Sequence, residues 1–198
     1  MLCCKDIFEN CQILECNSME CTFERLRSGV KIDLLILDVY FGNTSSIYQI
    51  GMIRELYPDL KILVVSMGED DVYGVRAMRE GANGYVNKMS SEAVIKQAMT
   101  TVILGGFHLS PKLLEISASL FNPKINQSTD NPFHTLSARE FQVCLYLVKG
   151  LDVAEIADKV KISSSTVSTY KSRIMNKLEC KKLHDLKKLA TQYKVLVA

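Results

Sequence analysis

Three residues close or follow apolar runs and have the side-chain types needed to accept a phosphoryl group. Asp38 closes Asp33–Asp38 (Asp-Leu-Leu-Ile-Leu-Asp), Ser66 closes Lys61–Ser66 (Lys-Ile-Leu-Val-Val-Ser), and Lys88 follows Asn83–Asn87. They stand 28 and 22 residues apart, from 38 to 66 and from 66 to 88. If the runs are parallel strands, the three side chains converge outside the carboxyl ends, where open α/β sheets place their sites. The Asp38 carboxylate can then be the nucleophile. The Ser66 hydroxyl and the Lys88 ammonium can bind the oxygens of the transferred group. Each residue alone is a common strand end; the combination points to phosphoryl transfer onto Asp38.

A second set lies near the other end of the chain. At 3.6 residues per turn, Ser165, Ser168, Thr169, Ser172 and Asn176 share one helix face, with Lys171, Arg173 and Lys177 at its edges. Val167, Tyr170, Ile174 and Leu178 fall opposite and must pack inward. Small polar side chains can reach base edges in the major groove while flanking cations hold phosphates. The open helix N-terminus at Ser164 can also receive a phosphate. A merely solvated helix face has the same pattern, so the neighbouring elements must decide.

Those elements are legible. Residues 12–104 alternate apolar strand-like runs, among them Gln12–Cys16, with segments long enough for helices: Cys21–Gly29, Ser46–Leu56, Asp71–Glu80 and Ser91–Leu104. Continuous apolar strands separated by helices predict a parallel sheet covered on both faces. Residues 121–135 are rich in Pro, Asn, Ser and Asp, show no period, and read as a linker. Beyond it, three helix starts share one device. Ser137 caps with Glu140 reaching back, and Leu136 packs on Phe141; Asp152 and Glu155 repeat the box; Ser163 caps with Ile162 and Val167 as the staple pair. Gly150 stops the first helix. The pattern predicts helices near 138–149, 153–160, 164–178 and 181–193. The second and third are joined by a tight turn, as in a helix-turn-helix.

Composition agrees. With 47% hydrophobic and 23% charged residues, the 198-residue chain is not a disordered one. Charge is uneven: residues 1–122 hold 11 Lys/Arg and 15 Asp/Glu, a net of −4, and residues 123–198 hold 13 and 7, a net of +6. An acidic half joined to a basic half predicts that only the second meets a polyanion. No run is long enough to span a bilayer. The opening Met1–Ile7 lacks the basic and apolar regions of a secretory signal, which predicts a cytoplasmic protein without a membrane partner. Five of seven cysteines lie in the first 21 residues (Cys3, Cys4, Cys11, Cys16 and Cys21), with no Cys-x-x-Cys. Small buried hydrophobes are the expected reading; metal binding or redox sensing by Cys11, Cys16 and Cys21 is the alternative. No dinucleotide-binding glycine motif, phosphate-binding loop or nucleophile elbow occurs, so an enzyme is not expected.

The motifs Leu136-Ser-Ala-Arg-Glu140, Gly150-Leu-x-x-x-Glu-Ile-Ala157 and Ser163-Ser-Ser-Thr-Val-Ser-Thr-Tyr-Lys-Ser-Arg-Ile-Met-Asn-Lys-Leu178 resemble the LuxR-type helix-turn-helix of NarL/FixJ response regulators. The run from Thr166 to Cys180 is most similar to the BvgA/EvgA branch. The likeness covers residues 136–193. It implies a four-helix reader in which Ser168, Thr169 and Ser172 face bases. Thr166 joins Ser164, Ser165, Lys171, Arg173 and Lys177 among the DNA contacts. It also implies a dimer contact on the fourth helix, so that a homodimer reads inverted-repeat half-sites. The spacing of Asp38, Ser66 and Lys88 resembles a receiver domain, a flavodoxin-like doubly wound sheet over residues 1–120 whose partner is a sensor histidine kinase. That resemblance makes Ser66 and Tyr85 switch residues.

The chain also departs from that pattern. A receiver begins with a strand ending in two acidic residues, which together hold Mg²⁺; here that position falls before residue 1. Only the Asp38 carboxylate and the Tyr40 carbonyl carry over as Mg²⁺ contacts, so Mg²⁺ stays a possible cofactor, and losing the acidic pair should weaken its binding greatly. Phe41, Gly42 and Ser46 replace the usual residues after the phosphoacceptor, and Met89 replaces the proline after Lys88. Two expectations fit. Either the natural protein begins upstream, which is preferred because a sheet without its central strand leaves buried backbone groups unpaired, or the receiver is atypical. The leading function is a transcription regulator controlled by phosphorylation of Asp38 and dimerisation. The alternatives are a phosphorylation-independent DNA-binding regulator and an inactive dimerisation partner.

Overall fold

The computed structural model describes residues 11–41, 44–121 and 131–195. They fall into two compact units, one built from residues up to Met67 with Ala77–Ser110, the other from Gly68–Arg76 with the residues from Pro111 onward.

In the first unit, helix α1 (Met19–Arg27) starts at Ser18, whose hydroxyl accepts from the Cys21 amide. Strand β1 (Leu35–Leu37) follows, then β2 (Tyr40–Phe41) and β3 (Thr44–Ser45), helix α2 (Ile47–Leu56) and strand β4 (Ile62–Ser66). Helix α3 (Val75–Arg79), strand β5 (Gly84–Asn87) and helix α4 (Glu92–Ile103) complete the order. Strands β1, β4 and β5 form a parallel sheet in the order β1-β4-β5. Leu37 pairs with Val64, and Ser66 pairs with Asn87. Because the registers align, all three carboxyl ends open on one edge. Helix α4 covers β4 and β5 through Ile95, Ala98, Met99 and Val102 on Leu63 and Val86. A Cβ at Gly84 would lie 3.0 Å from both Leu63 Cδ1 and Val102 Cγ2, so a larger residue would make these methyls give way by a few tenths of an ångström.

In this unit, two features differ from the sequence expectation. The apolar run Gln12–Cys16 is irregular rather than a strand. A strand needs a neighbour's backbone groups, and none of the described residues offers a partner beyond β1. Ile36 in β1 is accordingly 40% exposed, where a strand covered on both faces would be buried. The second feature is an antiparallel pair of two-residue strands, β2 with β3, directly after Asp38.

In the second unit, a π-helical turn over Asp70–Gly74 leads into the start of α3. Helix α5 (Pro111–Phe121) packs along that turn, where Lys112 Nζ lies 3.7 Å from Glu69 and 3.8 Å from Asp71. The sequence reading places no element here, although Ser110-Pro111 is a cap residue followed by proline at the first helical position. Part of the expected linker, Pro132–Thr135, is a 3₁₀ turn capped by Asn131. Four helices follow: α6 (Ala138–Lys149), α7 (Val153–Val160), α8 (Ser164–Lys177) and α9 (Leu183–Gln192). Capping boxes at Ser137 and Asp152 start α6 and α7, and Ser163 caps α8. Gly150 ends α6 at φ +93°, a conformation glycine adopts without strain. Among the described residues, no helix is long and apolar enough to cross a membrane.

Candidate functional site: an acidic strand-end site and a helical nucleic-acid interface

At the carboxyl edge of the sheet, the Lys88 ammonium donates to Asp38 Oδ2 at 2.5 Å. Asp38 follows β1 by one residue and Lys88 follows β5 by one, so sheet register alone brings their side chains together. Ser66 ends β4 between them and is fully buried. Its carbonyl accepts from the Lys88 amide at 2.8 Å, which fixes the turn that aims Lys88. Tyr85 is fully buried in β5. The structure thus gathers Asp38, Lys88 and Ser66 at one edge, with Tyr85 in the strand that leads to it.

Two residues that sequence reasoning missed brace the sheet, Ser46 at this carboxyl edge and Arg54 at the opposite, amino edge. The buried Ser46 hydroxyl donates to the Asp38 carbonyl at 2.5 Å, and its amide donates to the Val39 carbonyl at 2.9 Å. These bonds close the β2–β3 pair back onto Asp38. Arg54 of α2 donates to the Leu60 carbonyl at 2.7 Å, to the Gly81 carbonyl at 2.7 Å and to Asn83 Oδ1 at 2.8 Å. It therefore ties the entries of β4 and β5 to one helix. Burial is the main reason its guanidinium sits below the usual range, with Asp59 opposing. A serine and an arginine without a motif gave no signal in the sequence.

Among the described residues, the side chains at this edge do not fit a full Mg²⁺ donor set. Among the described residues no group of three metal-binding side chains occurs. Asp38 is the carboxylate at this edge, and it is already engaged by Lys88. The Tyr40 carbonyl as a second Mg²⁺ contact stays an expectation.

In the helical unit, Val167, Ile174 and Leu178 are buried, and Tyr170 is half-buried. The opposite face of α8 exposes Ser164, Ser165, Ser168, Thr169, Ser172, Arg173 and Asn176, with Lys171 half-buried at its edge. Helix periodicity thus delivers a polar face with cations at its margins. Several of its hydroxyls are already engaged. Ser163 Oγ bonds Ser165 Oγ at 2.8 Å and Thr166 Oγ1 at 2.7 Å, and Thr169 donates to the Ser165 carbonyl at 3.0 Å. Ser163 and Thr166 are therefore organised around the cap.

Lys177 differs from the other cations of the face. Its ammonium donates to Glu140 Oε2 at 2.7 Å and to the Thr135 carbonyl at 3.1 Å. Glu140 is buried and also accepts from the Ser137 amide at 2.8 Å. Lys177 thus serves the α6 capping box as well as lying on α8. Arg139 makes a similar brace, donating to the Val160 carbonyl at 2.7 Å at the end of α7 and to Gln142 Oε1 at 2.6 Å.

The Glu140 carboxyl is held below its ordinary 4.5. Burial pushes it up, but the bonds from Lys177 and Ser137 outweigh that. A depressed folded-state value contributes stability that is present above the unfolded value and lost as pH falls through the folded one. The helical unit should therefore lose stability below about pH 4.5, and Glu140→Gln should flatten that loss while lowering stability at pH 7. Thermal melts of both proteins from pH 7 to pH 3 check this; parallel curves would refute the Glu140 assignment.

Residues 3–100 match the family described as the response regulator receiver domain, and residues 134–190 match bacterial regulatory proteins of the luxR family. The oxygen regulatory protein NreC of Staphylococcus carnosus is 34% identical over 171 residues, spanning 83% of this chain and 77% of that protein. The response regulator GacA of Pseudomonas viridiflava is 32% identical over 165 residues, spanning 83% and 76%. Two solved structures of RcsB from Salmonella share the fold. One, described as showing conformational dynamism for DNA interaction, has a TM-score of 0.67 at 20% identity over 89% of this chain and 82% of that one. The other, bound to the promoter rprA with a phosphomimetic, has a TM-score of 0.62 at 23% identity over 87% and 81%. The BvgA/EvgA likeness stays an expectation.

Proposed function

The chain belongs to the two-component response regulators that carry a luxR-family DNA-binding domain, and we propose that it is switched by phosphoryl transfer onto Asp38. The donor is the phosphohistidine of a sensor kinase. An Asp38 oxygen forms the new P–O bond, the P–N bond to the imidazole breaks, and the released imidazole takes up a proton. Lys88 passes from the carboxylate to the phosphoryl oxygens, and the Ser66 hydroxyl turns to donate to them, with Tyr85 following. The observation that carries this reading is the 2.5 Å approach of Lys88 to Asp38 at the carboxyl edge of the sheet. Phosphorylation then favours a homodimer, and two linked α8 helices gain effective concentration on the paired half-sites of an inverted repeat. In this reading the protein is not an enzyme and works in the cytoplasm.

Intact mass after incubation with a small phosphodonor and Mg²⁺, beside Asp38→Ala, tests it. One added phosphoryl group, absent from the mutant, is expected. No addition, with DNA binding intact, would favour the second reading, a phosphate-independent regulator. That reading is favoured by Met89, which stands where the receiver pattern has proline after Lys88. No addition and no DNA binding would leave an inactive dimerisation partner.

The recognition face makes a further prediction. Ser168→Ala and Ser172→Ala should each weaken specific binding by about 1–3 kcal/mol while leaving non-specific binding nearly unchanged. Lys171→Ala should weaken all sequences alike and reduce the salt slope by about one unit. Titrations across a series of salt concentrations check both. Unchanged affinity and slope in all three variants would remove α8 from the groove.

A further inference from the structure

We propose that Cys16 and Cys21 form a reversible intramolecular disulfide with a low-molecular-weight disulfide as the oxidant. The two sulfurs lie 2.7 Å apart, with the Cys21 thiol donating to Cys16 Sγ. That separation is inside ordinary contact for two non-bonded sulfurs and not far beyond a disulfide bond of about 2.05 Å. The backbone holds the pair in place. Cys21 sits in the first turn of α1, its amide tied at 3.1 Å to the Ser18 hydroxyl. The Thr22 hydroxyl and amide both donate to the Ser18 carbonyl at 3.1 Å. The cap therefore turns the chain so that Cys16, two residues before Ser18, lies over Cys21.

Other described cysteines are placed differently. Cys144 is fully buried, and burial pushes its thiol up to about 12. The Cys180 thiol donates to the Leu178 carbonyl at 3.4 Å. Cys11, Cys16 and Cys21 are half-buried and so remain within reach of a small solute. The expected role of the N-terminal cysteines as buried hydrophobes holds for none of these three. Metal binding is not favoured either, because no group of three candidate ligands occurs among the described residues.

The chemistry balances in two exchanges. One cysteine thiolate attacks a sulfur of the small disulfide, forming a mixed disulfide and releasing one small thiol. The second thiolate then attacks the protein sulfur of that mixed disulfide and releases the other. Two protons and two electrons leave the cysteine pair, and the small disulfide is reduced to two thiols. Because the second sulfur is already in contact, the mixed disulfide does not accumulate. The product staples the irregular segment 11–16 onto the first turn of α1.

The test uses the full chain in glutathione buffers of increasing oxidised fraction, quenched by alkylation under denaturing conditions. Trypsin cleaves after Lys5 and after Arg25, so Cys11, Cys16 and Cys21 travel in one peptide, apart from Cys3 and Cys4. That peptide should lose two alkylation sites together, without gaining glutathione, and recover them with dithiothreitol. Cys11→Ser should preserve the paired loss, whereas Cys16→Ser and Cys21→Ser should each abolish it. Stable glutathione adducts on the natural chain, covalent dimers on non-reducing gels, or a paired loss that needs Cys11 would overturn the assignment. Full alkylation at every glutathione ratio would do the same. Because serine is nearly isosteric, matching circular dichroism of the variants separates a lost thiol from a lost fold.

Discussion

Phe141→Ala is expected to lower the unfolding free energy of the helical unit by about 4 kcal/mol, near the upper end for a large-to-small core change. Phe141 is 1% exposed at the first turn of α6. Its ring meets Tyr73 edge-on with centroids 5.6 Å apart, and the Arg76 guanidinium lies 3.9 Å from its centroid. Truncation therefore removes the transfer energy of a buried ring, leaves a cavity and dissolves two ring contacts at once. It also removes half of the staple that Leu136 forms at the start of α6. Hydrogen exchange of peptides from α6 along a urea series isolates this unit from the other. Phe141→Leu, which keeps most of the volume, should cost much less. A loss below about 1 kcal/mol for the alanine variant would contradict the packing described here.

Arg76→Ala should cost about 3 kcal/mol for a different reason. Arg76 is only 3% exposed. It donates to the Leu136 carbonyl at 2.8 Å and to the Phe133 carbonyl. Removing it leaves two buried carbonyls without these donors, at about 1–3 kcal/mol each. Arg76→Lys should rescue little, because an ammonium lacks the planar face that stacks on Phe141 and the fork that reaches two acceptors. A double-mutant cycle with Phe141→Leu should show coupling of about 1 kcal/mol, the size of a partly desolvated cation–π contact. Additive losses would mean that the guanidinium acts through the carbonyls alone. The same segment is also held by the Tyr73 hydroxyl on the Val195 carbonyl and by His134 on the Asp71 carbonyl. Its attachment is thus a set of polar anchors around one aromatic contact.

The strand-end residues were legible because their chemistry is local. A carboxylate after Leu-Leu-Ile-Leu and a hydroxyl after Ile-Leu-Val-Val can be read from apolar runs and their ends. Ser46 and Arg54 were not, because each acts through backbone carbonyls brought near by the fold, and a carbonyl leaves no trace in residue type. Lys177 shows the reverse difficulty. Helical spacing puts it at the edge of the recognition face, but spacing cannot show that Glu140, 37 residues earlier, draws its ammonium back to the capping box.

By itself, the sequence determined the local elements. Capping boxes, staple pairs and a C-terminal glycine set the starts and stops of α6, α7 and α8, because these signals act within a few residues. Apolar runs set β1, β4 and β5, and charge separation marked the half suited to a polyanion. Tertiary structure decided what depended on partners. Gln12–Cys16 has the composition of a strand but no described neighbour to pair with, so it stays irregular. That irregular path lets Cys16 fold back onto Cys21. Asp71–Glu80 reads as one ordinary helix, yet it folds as a π-helical turn followed by α3, and Tyr73 and Arg76 make Gly68–Arg76 part of the helical unit. Strand pairing, aromatic packing and buried hydrogen bonds join residues far apart in the chain, and only the folded chain says which of them meet.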